Sequence, residues 1–140
     1  MDRIDLHIEV PRLSYEDISQ QDRAESSREV KKRVEQARAI QRQRFATVNK
    51  NGRRTHSSKT ITCNADMGPQ EIRLYCQLTR DAKSLLKSAF NSLNLSGRAY
   101  DRIVKVSRTI ADLDGSDLIT DSHVAESLQY RALRLELPQS

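Results

Sequence analysis

The sequence predicts a mainly α protein, with a C-terminal helical bundle preceded by one orphan strand and a long basic helix that runs into a flexible loop. Three observations carry that prediction. Apolar residues recur at helical spacing through most of residues 69–136, helix-start and helix-stop residues punctuate those runs, and strict two-residue alternation occurs once, over residues 4–10. Composition sets a limit. With 36% of residues hydrophobic, 4% aromatic and 31% charged, a chain of 140 residues holds a modest core and leaves part of itself without one. The expected divisions are residues 1–25 (strand and loop), 26–68 (basic helix and loop), 69–136 (bundle) and 137–140 (frayed tail).

Ile4, Leu6, Ile8 and Val10 alternate with Asp5, His7 and Glu9 up to Pro11, the pattern of a half-buried strand with His7 on its solvated side. A single terminal strand has nothing of its own to pair with, so the expectation is a chain cut from a longer one just before it. Residues 14–25 are polar and aperiodic, and read as a loop. Ser26 and Glu29 then fit a capping box, in which each side chain satisfies an amide the first turn leaves unpaired. The helix that follows, to about Phe45, carries only Val30, Val34, Ala37 and Ile40 as an apolar stripe, enough to pack along one edge. Residues 46–68 contain N-K-N-G-R-R-T-H-S-S-K-T, a composition that favours a flexible loop.

The core is expected to begin at Pro69, a residue suited to the first helical position, with Ile72, Tyr75, Cys76 and Leu78 on the buried side. Thr79 caps the next helix, where Ala82, Leu85, Leu86, Ala89, Phe90 and Leu93 keep the spacing of one helix face. Ser96 caps a third helix, and Gly115 supplies the left-handed residue that ends it. Its apolar side carries Tyr100, Ile103, Val104, Ile110, Ala111 and Leu113. Its polar side carries Arg98, Asp101, Arg102, Lys105, Arg108 and Asp112, and is expected to face solvent or a charged ligand. A fourth helix, from Thr120 to about Leu135, turns Val124, Leu128, Ala132 and Leu135 inward, with His123 near its start as a capping or packing residue. Short connections imply antiparallel neighbours.

Two features bear on function. Arg98 falls in the first turn of its helix, where a cation loses about 0.3–1 kcal/mol against the helix dipole. Free amides and a guanidinium converging there can hold an anion, although spacing alone leaves a merely solvated arginine open. The second feature is charge. Over residues 28–59, eleven Lys or Arg stand against two Glu, a balance of +9 that exceeds the formal +5 of the whole chain. Such an arm can neutralise several phosphates, and Arg28, Lys31, Lys32, Arg33, Arg38, Arg42, Arg53 and Arg54 are its candidate contacts. Phe45 is its only aromatic residue, which argues against base readout. A solvated projecting helix accounts for the same charge.

Several chemistries are excluded. There is no G-x-x-x-x-G-K-[ST], no acidic pair after a strand, and four glycines in all, so this chain cannot hydrolyse ATP alone. His7, His56 and His123 lie in separate segments and form no catalytic set. Cys63 and Cys76 offer neither a metal site nor a disulfide framework. No apolar run suits a membrane span, and a cytoplasmic protein is expected.

The run L-S-G-R-A-Y-D-R-I-V-K-V-S-R-T-I-A-D-L-D-G-S-D-L-I, followed by H-V-A-E-S-L-Q-Y-R, resembles the C-terminal domain of the magnesium-chelatase-like AAA+ ATPases, closest to their ComM (YifB) competence branch. The opening D-R-I-D-L-H-I-E-V-P-R-L and the later N-A-D-M and E-I-R-L-Y-C-Q-L match in the same order, so the resemblance covers well over half the chain. It implies that the bundle is the lid closing over ATP and Mg²⁺ held by a core outside this chain. Arg98 matches the sensor-2 arginine, which contacts the γ-phosphate. Arg3 matches the arginine finger, which reaches a neighbouring subunit's nucleotide. The basic helix corresponds to the insertion before sensor 2. Expected partners are the chain's own AAA+ core, neighbouring subunits of a homo-oligomeric, hexameric ring, and DNA. The loop at 46–68 is longer than the family pattern and inherits no role.

Two functional classes follow. The first is the lid of a motor that couples ATP hydrolysis to movement on DNA, with a magnesium-chelatase motor as the variant within that class. The second is a nucleotide-independent helical module that binds nucleic acid or protein. Arg3 and Arg98 favour the motor, whereas a module would need only the basic arm.

Overall fold

The computed structural model describes residues 5–8, 10–12, 14–16, 25–50 and 61–136, apart from the side chains of residues 47–50 and 132–136. Among the described residues, five helices with both ends defined follow in order: α1 (Ser27–Lys50), α2 (Pro69–Tyr75), α3 (Arg80–Ser92), α4 (Gly97–Leu113) and α5 (Asp121–Glu136), with a 3-10 turn at Asn64–Asp66 between α1 and α2. The helical bundle expected from the sequence is present.

Local chemistry sets the boundaries. Ser26 Oγ accepts from the Glu29 amide at 3.2 Å, Thr79 Oγ1 from Ala82 at 3.2 Å and Ser96 Oγ from Ala99 at 3.1 Å, so three helices start on a hydroxyl cap. Pro69 opens α2, where the Gly68 amide donates to Glu71 Oε2 at 3.0 Å. Gly115 ends α4 at φ 69°, and the Ser116 amide reaches back to the Ala111 carbonyl at 2.9 Å. Asn94, at φ 54°, does the same for α3, the Leu95 amide donating to Phe90 O at 3.2 Å.

The core joins Phe45 of α1, Ile61, Met67, Cys76, Ala82 and Leu86 to Ile103, Val104 and Ala111 of α4, then Ile119 and Val124. It therefore begins upstream of the expected start at Pro69. Ile61 and Met67 are part of it, and α1 runs to Lys50 instead of ending near Phe45. Residues 51–60 and 137–140 lie outside the described residues. Phe45 meets Tyr75 edge to face at 5.8 Å between centroids, which fixes the far end of α1 against α2.

Helix α4 is central. It packs against α5, α1, α2 and the 3-10 turn, and from Ala99 to Asp112 none of its residues is exposed. The expected solvent face is thus corrected for Arg108 and Asp112, which are buried, Asp112 under Arg44 of α1, while Arg102 and Lys105 are half-buried beside a groove. Leu113, expected inside, is 44% exposed, because the helix has by then reached its end. Helices α3 and α4 meet through Phe90, edge to face with Tyr100 near their connection, whereas α5 packs along both.

The expected strand at residues 4–10 is also corrected. Among the described residues, 5–8 and 10 form no strand, and Leu6 and Ile8 stand exposed. Among the described residues there is no neighbouring strand to complete the ladder, so alternation alone forms nothing. The segment instead lies on the bundle. The His7 amide donates to the Tyr130 carbonyl at 3.0 Å, Asp5 pairs with Arg102, and His7 is half-buried.

Candidate functional site

A groove of about 1090 Å³ runs between the segment at 5–8, the first half of α1, the length of α4 and the start of α5. Four Lys or Arg line it: Arg33, Arg98, Arg102 and Lys105. Three are engaged. Arg33 pairs with Glu25 at 2.7 Å, Arg102 with Asp5, and Lys105 Nζ donates to the Ala65 carbonyl at 3.1 Å. Arg98 is exposed and has no hydrogen bond or ion pair among the described residues.

Sequence places Arg98 at the second position of α4, after the Ser96 cap and Gly97. No acidic residue occupies that first turn, so the dipole field and unpaired amides there are uncompensated. A Cβ at Gly97 would meet nothing within 4 Å, so the backbone at the helix mouth is open to an approaching group. An anion at this point would find a guanidinium and backbone donors together.

The basic candidates separate into two sets. Arg28, Lys31, Lys32, Arg38 and Arg42 are all exposed, at spacings of three, four and seven residues along α1, with Arg28 and Lys32 turned furthest from buried Ala37 and Gln41. They span 14 positions, about 21 Å. Glu29 and Glu35 are the two acids in that span. Arg33 lies off this stripe and serves the groove wall. Arg3, Arg53 and Arg54 lie outside the described residues.

Sequence reading missed the polar centre of the molecule. Asp112, with its side chain fully buried, accepts from Arg44 Nη1 at 2.9 Å and Nη2 at 2.6 Å, from Asn64 Nδ2 at 2.8 Å and from Arg108 Nε at 3.2 Å. Arg108, also buried, donates its remaining protons to the carbonyls of Ser116 at 2.5 Å, Asp117 at 2.8 Å and Tyr75 at 3.4 Å. Every charge is met, as burial requires. The one sequence signal was the i, i+4 spacing of Arg108 and Asp112. Arg44 and Asn64 are too distant in sequence to show.

His123 is 4% exposed and caps α5. The Thr120 amide donates to Nδ1 at 3.0 Å, so that nitrogen is the acceptor and Nε2–H donates to Asp114 Oδ2 at 2.9 Å. This is the capping or packing role expected from the sequence. Cys76 is buried beside the core, and loss of solvation pushes its thiol up to about 11 despite nearby Arg108 and Arg44. Among the described residues, no three His, Cys, Asp or Glu side chains gather as a metal site, and no helix is long and apolar enough to cross a membrane.

An α4-centred bundle with a free arginine at the mouth of its central helix defines a small helical domain with one candidate anion-binding point. Residues 24–131 match the family described as magnesium chelatase, subunit ChlI C-terminal, and the chain belongs to that family. It is 40% identical over 134 residues to the competence protein ComM of Haemophilus influenzae, covering 95% of this chain and 23% of that protein. It is 38% identical over 138 residues to the uncharacterized protein YifB of Escherichia coli K12, covering 95% of this chain and 24% of the relative. The chain thus spans about a quarter of the length of these relatives.

Proposed function

We propose that this chain is the C-terminal lid of a longer, cytoplasmic, magnesium-chelatase-like ATPase of the ComM type. In that protein Arg98 contacts an ATP phosphate, and the basic face of α1 meets the DNA backbone. The observation that carries the reading is the state of Arg98: alone among the groove's Lys and Arg residues it is uncommitted, and it sits where helix amides already favour an anion. A phosphate there would turn an unfavourable cation–dipole contact into a charge-assisted bond.

A bound nucleotide fits this chain only through its phosphates. The described residues supply a guanidinium and amides but no carboxylate set for Mg²⁺, so the metal's ligands belong to the rest of the ATPase. Loss of the γ-phosphate would remove one contact and release the lid as a rigid body, since α4 packs against α1, α2, α5 and the 3-10 turn. Arg3, as an arginine finger in trans, would reach the nucleotide of the next subunit in a hexameric ring. The five cations of α1 support phosphate contact without base readout.

ATP turnover by the full-length ATPase, with and without single-stranded DNA, tests this. The expected result is stimulation by DNA that is lost when Lys31, Lys32 and Arg38 are replaced by Gln. A protein that binds DNA through α1 yet shows no nucleotide turnover would be the binding module instead.

A further inference from the structure

We infer that Arg44 is a positioning residue, a strut that fixes the rotational setting of α1 on α4 so that movement of the lid becomes directed movement of the basic stripe. The inference rests on the lid reading above and adds the part that transmits the motion.

Helix α4 carries Arg98 in its first turn and Asp112 in its last, 14 positions or about 21 Å apart. Whatever tilts α4 at Arg98 therefore moves Asp112. Asp112 is joined to α1 by both nitrogens of the Arg44 fork, at 2.9 and 2.6 Å. Asn64 closes the circuit, its amide donating to Gln41 Oε1 at 3.0 Å, its Nδ2 to Asp112 at 2.8 Å, and its Oδ1 accepting from Arg44 at 3.0 Å. Gln41, Arg44, Asn64 and Asp112 thus form a closed set of directed bonds between α1, the 3-10 turn and α4.

Directed bonds do here what apolar packing does not. Helix α1 is held chiefly along its second half, where Ala37, Gln41 and Phe45 are buried, whereas Val30 and Val34 in its first half stand about 40% exposed. Its first half, with Arg28, Lys31 and Lys32, is a cantilever. A register slip of one residue about the helix axis would swing that stripe by about 100°. A planar fork on one carboxylate permits no such slip, and it adds a directed bond to the packing of Ala37 and Phe45.

The network also separates the strut from the fold. Arg108 is anchored independently on the carbonyls of Ser116 and Asp117, so removal of Arg44 leaves Asp112 still paired with Arg108 and Asn64. Arg44 has a side chain 12% exposed and is not part of the outward stripe.

The test compares wild-type full-length ATPase with Arg44→Gln and Arg44→Lys, well below the melting temperature of each. Basal ATP turnover, the Kd for single-stranded DNA and the stimulation of turnover by that DNA are measured. The expected result for both variants is basal turnover and Kd within about twofold of wild type, with stimulation reduced about fivefold or more, the scale of a lost coupling. Lys keeps the charge opposite Asp112 but not the fork, which keeps the test open if the Gln variant does not fold. Leu128→Ala, a packing change at a half-buried residue beside the core, should keep full stimulation. Wild-type stimulation retained in either Arg44 variant would overturn the strut and leave the lid reading standing. A wild-type protein that DNA does not stimulate would overturn the lid reading itself, and the strut with it.

Discussion

Arg44 and Asp112, 68 positions apart, meet through two parallel N–H···O bonds of 2.9 and 2.6 Å, and they join the first helix of the chain to its central one. Both lie at the heart of a buried polar cluster rather than on a surface. Removing one partner from such a cluster leaves uncompensated charge, which costs about 3–5 kcal/mol. Asp112→Ala is therefore expected to lower stability by that amount, since it strands two guanidinium groups and Asn64 at once. Urea denaturation followed by circular dichroism measures it, and a midpoint shift worth under about 1 kcal/mol would contradict the description.

The two cysteines should behave differently. Cys63 is exposed, whereas Cys76 is buried and its thiol is pushed up to about 11 by loss of solvation. Alkylation of the folded chain at pH 8 should label Cys63 and spare Cys76 until denaturant is added. The same burial gives a sign to alkaline stability. Between its ordinary value of 9.0 and about 11, Cys76 holds its proton in the folded chain and loses it in the unfolded one. Stability contributed by that thiol is thus complete below pH 9 and declines as pH rises toward 11, by on the order of 2 kcal/mol. Cys76→Ala should flatten that decline in melts recorded across the range.

His123 holds the start of α5 by accepting the Thr120 amide and donating to Asp114. His123→Ala leaves that amide without its acceptor and should cost about 1 kcal/mol, the usual size of a lost cap. The loss should appear as faster amide exchange at Thr120 with little change elsewhere.

The α1 stripe predicts how the chain meets nucleic acid. Replacing Lys31, Lys32 and Arg38 by Gln should weaken binding to any DNA sequence. The slope of log affinity against log salt should fall by about 2–3, as three lost phosphate contacts imply. Fluorescence anisotropy at several salt concentrations gives the slope, and a sequence-selective loss would speak against backbone contact.

Much of the helical architecture was legible because its signals are local. Ser26, Thr79 and Ser96 announce helix starts by residue type, and Gly115 announces an end, so those boundaries could be read directly. What escaped was non-local. Arg108 and Asp112 look like a solvated i, i+4 pair until α1 is laid over them, and only the fold brings Arg44 and Asn64 to the same carboxylate. The alternation at residues 4–10 misled for the same reason, because a strand is defined by its neighbour as much as by its own period. Val30 and Val34 followed helical spacing faithfully but face a groove instead of a core. Arg98 was legible as an exception: a cation in a first helical turn without an acid beside it. Its freedom from partners, which gives the exception meaning, needed the structure.

Arg98 is also where the account is most exposed to contradiction. The decisive measurement is ATP turnover by the full-length ATPase, with and without single-stranded DNA, for wild type and Arg98→Ala. Because Arg98 is exposed and partnerless, its loss should leave melting within about 0.5 kcal/mol of wild type. Turnover should nevertheless fall at least about tenfold, as loss of a charge-assisted phosphate contact implies. Unchanged turnover in a folded Arg98→Ala protein would contradict the phosphate assignment and return this chain to the class of nucleotide-independent binding modules.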